Sequence, residues 1–247
     1  MLLEVCVHSV ESAIAAEKGG AHRVELCDNI PEGGTTPSSA AILLARKHLT
    51  IDLHVMIRPR GGDFLYSSLE LEIMKQDIIA AKNLGADGLV FGILSREGKI
   101  DKTACRQLLE KAYPLRTTFH RAFDMASDPY ASLEDVISMG FDNLLTSGLQ
   151  AKAFDGIPLI KQLIDQAKDR ICIMPGSGIN ESNIREIALQ TKAHAFHVSV
   201  RKKTTSQMIF RNHSIRMGGI DSISEYENSI TDENRVKIIK EILEQIS

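Results

Sequence analysis

The sequence lacks an excess of charge of either sign. Lys and Arg number 29 against 32 Asp and Glu, a net charge of −3 over 247 residues. A weakly acidic chain has no general attraction to nucleic acid or to an anionic membrane surface, so neither is an expected partner. Long apolar runs are also missing. The longest stretch free of Asp, Glu, Lys and Arg is Gly33–Ala45, and it contains Gly, Pro, Thr and Ser. A spanning helix needs about 20 mostly apolar residues. Met1 leads straight into Leu2-Leu3-Glu4-Val5 without a basic n-region, so no secretory leader is expected. Four cysteines at irregular spacing do not form a disulfide framework in a chain of this size, and a reducing cytoplasm is the expected location. No linker, low-complexity segment or composition shift marks a second domain.

What the chain does contain is alternation. Apolar β-like runs at 2–7, 22–27, 51–57, 87–91, 116–120, 142–146, 171–174 and 194–198 alternate with helical patterns near 9–19, 38–48, 69–84, 102–112, 129–139, 156–168 and 181–191. A last amphipathic helix is expected over about 232–246. This order predicts parallel βαβ units. A weak repeat supports it: Gly20-Ala21-His22-Arg23-Val24, Gly85-Ala86-Asp87-Gly88-Leu89 and Gly140-Phe141-Asp142-Asn143-Leu144 each carry a helix end into a strand. The expected fold is an α/β chain closed as a (β/α)8 TIM barrel. One domain covers 1–247, with a barrel core over 1–198 and a C-terminal extension and helix over 199–247. A doubly wound open sheet would want a glycine fingerprint after the first strand, and Cys6-Val7-His8-Ser9 is not one. The stretch 199–231 has no periodicity and reads equally as an active-site cover, an interface or a loop.

Strand parity assigns faces. Leu3, Val5 and Val7 belong against the helices, which sends Glu4, Cys6 and His8 to the axis. The same rule sends Arg23, Glu25 and Cys27, then His54, Met56 and Arg58, inward, with Thr118, His120 and His197 following. Ordinary barrel interiors hold branched apolar side chains. Buried charges are costly unless paired or functional, so these groups are either an ion-pair network that fixes register or the lining of a ligand site.

Several motifs sharpen the second alternative. Met56-Ile57-Arg58-Pro59-Arg60-Gly61-Gly62-Asp63-Phe64 places Arg58 and Arg60 in a shaped cationic loop, and arginine forks suit carboxylate or phosphate. Thr118-Phe119-His120-Arg121-Ala122-Phe123-Asp124 offers a proton-transfer group, an anion clamp and an orienting carboxylate, although Asp124 could equally pair with Arg121 or cap the next helix. Gly176-Ser177-Gly178, leading to Asn180 as a candidate N-cap, lies where barrels bind phosphate, with Ser199 and Arg201 on the neighbouring loop. Cys6 and Cys27 each sit two residues after an inward Glu on neighbouring strands. Paired thiolates suit a soft ion such as Cu(I), while inward cysteines also serve as small apolar filler.

Read together, these motifs resemble the CutC family, known as copper homeostasis proteins. The likeness runs in order from Glu4-Val5-Cys6 and Arg23-Val24-Glu25-Leu26-Cys27 through Glu32-Gly33-Gly34-Thr35-Thr36-Pro37-Ser38, the arginine-glycine loop, Asp87-Gly88-Leu89-Val90-Phe91-Gly92 and the His120 motif. It ends with Leu145-Thr146-Ser147-Gly148, Met174-Pro175-Gly176-Ser177-Gly178-Ile179, Phe196-His197 and Phe210-Arg211-Asn212. Ser177 stands where the family usually has a second Gly. The resemblance implies a cytoplasmic homo-oligomeric barrel linked to copper tolerance, binding Cu(I) through Cys6 and Cys27.

Three functions follow. The first is Cu(I) binding at Cys6 and Cys27. The second is an enzyme on a small phosphorylated or carboxylated metabolite. In it Arg58, Arg60, Arg121 and the Gly176, Ser177, Gly178 loop hold the anion, Glu4, Glu25, His54 or His120 move protons, and Asp124 orients. The third is a non-catalytic partner-binding barrel using 199–231, which requires exposed apolar residues there. No organic cofactor is indicated.

Overall fold

The computed structural model describes all residues except 216, 218–223 and 247. Eight parallel strands form one sheet: β1 (Leu2–Val7), β2 (Arg23–Leu26), β3 (Asp52–Met56), β4 (Gly88–Phe91), β5 (Arg116–Phe119), β6 (Asn143–Thr146), β7 (Cys172–Pro175) and β8 (Ala195–Val198). Their order, β7-β6-β5-β4-β3-β2-β1-β8, follows the chain except that β8 returns to β1. A single bridge between Gly176 and His197 joins the two ends, so the sheet curls into a barrel and is not an open doubly wound sheet. The helices α1 (Val10–Lys18), α2 (Ser39–His48), α3 (Ser68–Asn83), α4 (Lys102–Ala112), α5 (Pro129–Met139), α6 (Ile157–Ala167) and α7 (Ile184–Thr191) alternate with the strands.

The apolar strand set packs outward against this ring. Leu3, Val5, Val7, Leu53 and Val55 are fully buried in one cluster with Ala13, Ile78 and Leu163 of the helices. Local chemistry fixes the helix starts. Ser38 Oγ accepts the Ala41 amide ahead of α2, and Ser67 with Glu70 forms a capping box on α3. The α7 helix begins later than its apolar pattern suggests, at Ile184. Asn180 is not its cap: its side chain accepts the Ser182 amide inside a preceding turn, and Asn183 takes the cap position.

The stretch without periodicity holds an antiparallel ribbon, β9 (Arg201–Thr205) with β10 (Glu227–Thr231). It shows no apolar alternation because most of its residues face solvent on both sides. α8 (Glu233–Glu244) then returns to the barrel and buries Val236, Ile239 and Leu243 in the same core. No helix among the described residues is long and apolar enough to cross a membrane.

Candidate functional site

Parallel register assembles the barrel axis. Pairing of β1 with β2 sets Glu4 beside Arg23 and Cys6 beside Glu25, while pairing with β8 sets Glu4 beside His197. Arg23 Nε donates to Glu4 Oε2 at 2.5 Å, and its Nη2 reaches across the barrel to Met174 Sδ at 3.5 Å. His197 Nδ1 lies 2.6 Å from Glu4 Oε1, and its Nε2 lies 3.8 Å from Glu25 Oε2. Burial works to raise the Glu4 carboxyl, but the Arg23 charge and the His197 hydrogen bond outweigh it and hold Glu4 well below the usual carboxylate range. Burial likewise opposes charge on His197, and Glu25, Cys6 and Glu4 together hold its imidazole protonated, well above the usual value. Glu25 is pushed up to about 6, chiefly by burial against the pull of His197.

Above this layer the C-terminal strand ends open into a cavity of about 670 Å³. Cys6, Glu25 and His197 line its inner end, and Arg58, Phe64, His120, Arg121, Asp124, Ser177, Gly178, Ser199 and Arg201 contribute from the loops. Glu25 Oε1 and His120 Nε2 are buried without a hydrogen-bond partner. His120 Nδ1 accepts the Ala122 amide at 3.2 Å, so the neutral ring carries its proton on Nε2. Burial, helped by the Arg58 charge, lowers the His120 pKa to about 3. The ring fits because Gly92 has no side chain: a Cβ there would stand 2.7 Å from His120 Nδ1.

Other expected site residues take different places. Glu4 lies beneath the cavity lining and touches it through His197. His54 is fully buried below the cavity, with both ring nitrogens unpartnered. Burial and then Arg23 lower its pKa to about 3, and its ring occupies the space over Gly88, where a Cβ would collide with Nε2. Arg60 turns away from the cavity to Glu70 at 2.5 Å and Asp63 at 3.0 Å. Arg58 does not join the glutamates. It donates to the carbonyls of Glu32, Gly34 and Gly62, each at 2.8 Å, and so ties two loops together. Its Nε is buried without a well-formed hydrogen bond, and the side chain lies beside the buried Tyr66 hydroxyl.

Asp124 is saturated. It accepts from Thr146 Oγ1 at 2.5 Å, the Ser147 amide at 3.0 and 3.1 Å, Ser147 Oγ at 2.9 Å, the Leu149 amide at 3.3 Å and Arg121 Nε at 2.7 Å. It organises the loop after β6 and leaves no oxygen poised for proton transfer. Arg121 Nη2 also donates to Ser147 Oγ at 2.9 Å. In the loop after β7, the Gly176 amide is spent on Thr146 O, while Ser177 and Gly178, at φ 83° and 69°, line the cavity.

The Cys6 and Cys27 sulfurs are 3.5 Å apart, and Glu25 completes a group of potential ligands within 4.8 Å. Cys6 lines the cavity, whereas Cys27 is buried behind it against Val7 O. The hydrogen bond to Cys27 and burial push the Cys6 thiol well up. With metal–sulfur bonds of about 2.3 Å, that separation brackets a single ion at an angle of about 100°, open to a third donor. His197 is the contact that parity alone undervalues. Its role depends on register between the first and last strands, and its inward parity in Phe196-His197-Val198 is the signal in the sequence.

Known proteins agree with this architecture. The human copper homeostasis protein cutC homolog is 51% identical over 99% of this chain and 90% of its own length. A CutC family protein from Bacteroides fragilis is 53% identical over 96% of this chain and 94% of its own length. The crystal structure of CutC from Streptococcus agalactiae superposes with a TM-score of 0.77 at 39% identity, covering 80% of this chain and 97% of that one. The CutC family profile itself matches residues 1–202, and on these grounds the chain belongs to the CutC family.

Proposed function

We propose that this protein is a cytoplasmic Cu(I)-binding protein of copper homeostasis, with Cys6 and Cys27 as the ligands. The carrying observation is the convergence of the two thiols, 3.5 Å apart, with Cys6 lining the cavity and Cys27 buried directly behind it. Thiolates select Cu(I) over harder ions, and the Glu25 carboxylate is within reach as a third donor. The homeostasis name of the human relative supports the same reading. The test is an anaerobic, reduced Cu(I) titration against a competing chelator, on the wild type and on Cys6→Ser/Cys27→Ser. Tight, saturable binding lost in the double variant is expected. Undiminished binding in that variant refutes the assignment.

A second reading has its own support. Copper uses two thiols and leaves the cavity's unpartnered Glu25 Oε1 and His120 Nε2 unexplained. Those groups favour an enzyme acting by acid–base chemistry on a small phosphorylated or carboxylated metabolite. Arg58, Arg121, Ser177 and Gly178 surround the anion, and Glu25 is the proton-transfer group. A ligand at 100 times its Kd stabilises the fold by about 2.7 kcal/mol, which a thermal-shift screen of such metabolites detects. A screen without any stabilising member counts against this reading.

Self-association is proposed through the arm between β9 and β10, where Ile209 and Phe210 are 100% and 75% exposed.

A further inference from the structure

Four cysteines are free in this fold, and two of them touch. Cys6 Sγ and Cys27 Sγ stand 3.5 Å apart without a bond between them. A disulfide is about 2.05 Å long, so closing it asks the sulfurs to approach by about 1.5 Å, a movement within side-chain rotation. Among the described residues, Cys105 on α4 and Cys172 at the start of β7 have no second sulfur in contact.

Access to the two sulfurs is unequal. Cys6 is partly exposed and lines the cavity, whereas Cys27 is 2% exposed and packs with Met56 and Val90. A reachable thiol backed by a shielded one is how an attacking and a resolving cysteine are arranged. The cavity, at about 670 Å³, has the size of sites that take drug-sized molecules, so a small disulfide can enter it. The apolar neighbours favour an uncharged disulfide over a bare thiolate. Gly34 backs Cys27, and a Cβ there would stand 3.3 Å from the Cys27 Cβ, so the bare glycine leaves that side chain room to turn.

We infer that Cys6 and Cys27 form a reversible dithiol–disulfide pair whose oxidant is a low-molecular-weight disulfide entering through the cavity, and that the Cu(I) site exists only in the reduced chain. Cys6, as thiolate, attacks one sulfur of the small disulfide. A mixed disulfide forms, the S–S bond of the small disulfide breaks, and one small thiolate leaves. Cys27 then attacks Cys6 Sγ, the protein disulfide forms and the second small thiolate leaves. The two protons released by Cys6 and Cys27 end on the two small thiols, and the two electrons lost by the protein reduce the small disulfide. The high pKa of Cys6, set by its hydrogen bond to Cys27 and by burial, slows the first attack at neutral pH without changing its end point. A disulfide has no thiolate to offer a metal, so the two states exclude each other. That exclusion rests on the copper reading above; the disulfide itself does not.

For the test, the intact, reduced, metal-free protein is equilibrated in anaerobic mixtures of reduced and oxidised glutathione, quenched in acid, alkylated and mapped by peptide mass. Oxidation is expected to consume two of the four thiols and to link the Cys6 peptide to the Cys27 peptide. Cys27→Ser is expected to hold glutathione on Cys6, and Cys6→Ser to leave Cys27 unmodified behind the cavity wall. In the Cu(I) titration, run without added reductant, the oxidised wild type is expected to bind about 10-fold more weakly than the reduced, or worse, and dithiothreitol to restore binding. If Cys6 and Cys27 stay reduced in excess oxidised glutathione, or if the link joins Cys105 or Cys172, the pair is overturned whatever copper does. If the pair links and both states bind copper equally, the exclusion is overturned. If the reduced wild type binds no Cu(I), the copper reading fails and the exclusion with it, while the peptide map still decides the pair. These readings are made on the wild type, so a poorly folded variant does not change them.

Discussion

Replacing His54 by Leu is expected to make the protein less sensitive to acid. Both His54 nitrogens are buried and unpartnered, and burial with the Arg23 charge lowers its pKa from 6.5 to about 3. The folded chain therefore keeps this ring neutral where the unfolded chain protonates it. Stability falls wherever the unfolded state binds more protons, so this histidine destabilises the fold as pH drops below 6.5. The slope is about 1.4 kcal/mol per pH unit, or about 2 kcal/mol by about pH 5. Glu25, raised to about 6, opposes the trend between its unfolded value of 4.5 and that point, but it does so in wild type and variant alike. At pH 7 the substitution removes no hydrogen bond and is expected to cost less than about 1 kcal/mol. Urea unfolding midpoints from about pH 7 to about pH 5 supply the comparison. The wild-type minus variant difference is expected to grow by about 2 kcal/mol over that range. Parallel curves would refute the reasoning and mean that the folded protein carries a charged His54 beside Glu4 Oε2, 4.0 Å away.

Glu4→Gln removes the only negative partner in contact with the buried Arg23 among the described residues, and a loss of about 3–5 kcal/mol is expected in chemical denaturation. Asp124→Asn takes the charge from a carboxylate that accepts from two side chains and two backbone amides besides Arg121, so proteolytic nicking is expected to increase in the loop after β6. Mass measurement by light scattering is expected to give an oligomer for the wild type and a smaller species for Ile209→Asp/Phe210→Asp; equal masses would dissociate the exposed arm from assembly.

Much of the site is legible because a strand has a period of two residues. That period alone places Glu4, Glu25, Cys6, His54 and His120 inside the barrel, where all five are found. It carries no information on height along the axis, so His54 and His120 look alike in sequence although only His120 lines the cavity. Partnering is similarly hidden. Arg60 and Arg58 stand two residues apart, but Glu70, in the first turn of α3, claims the first while loop carbonyls hold the second. The β9–β10 ribbon escapes detection because a solvent-exposed strand has no apolar alternation to reveal it.

Strand β4 contributes no functional group to the barrel mouth, yet two imidazoles depend on its first residue, Gly88, and on Gly92, which follows its last. His54 lies over Gly88 and His120 over Gly92, in volumes that any side chain would fill. Truncation scanning therefore fails here, because glycine offers nothing to truncate. The importance of β4 becomes measurable only when atoms are added. A one-carbon insertion at Gly92 tests the His120 donor more gently than removing the histidine, since it displaces the ring while keeping its chemistry intact.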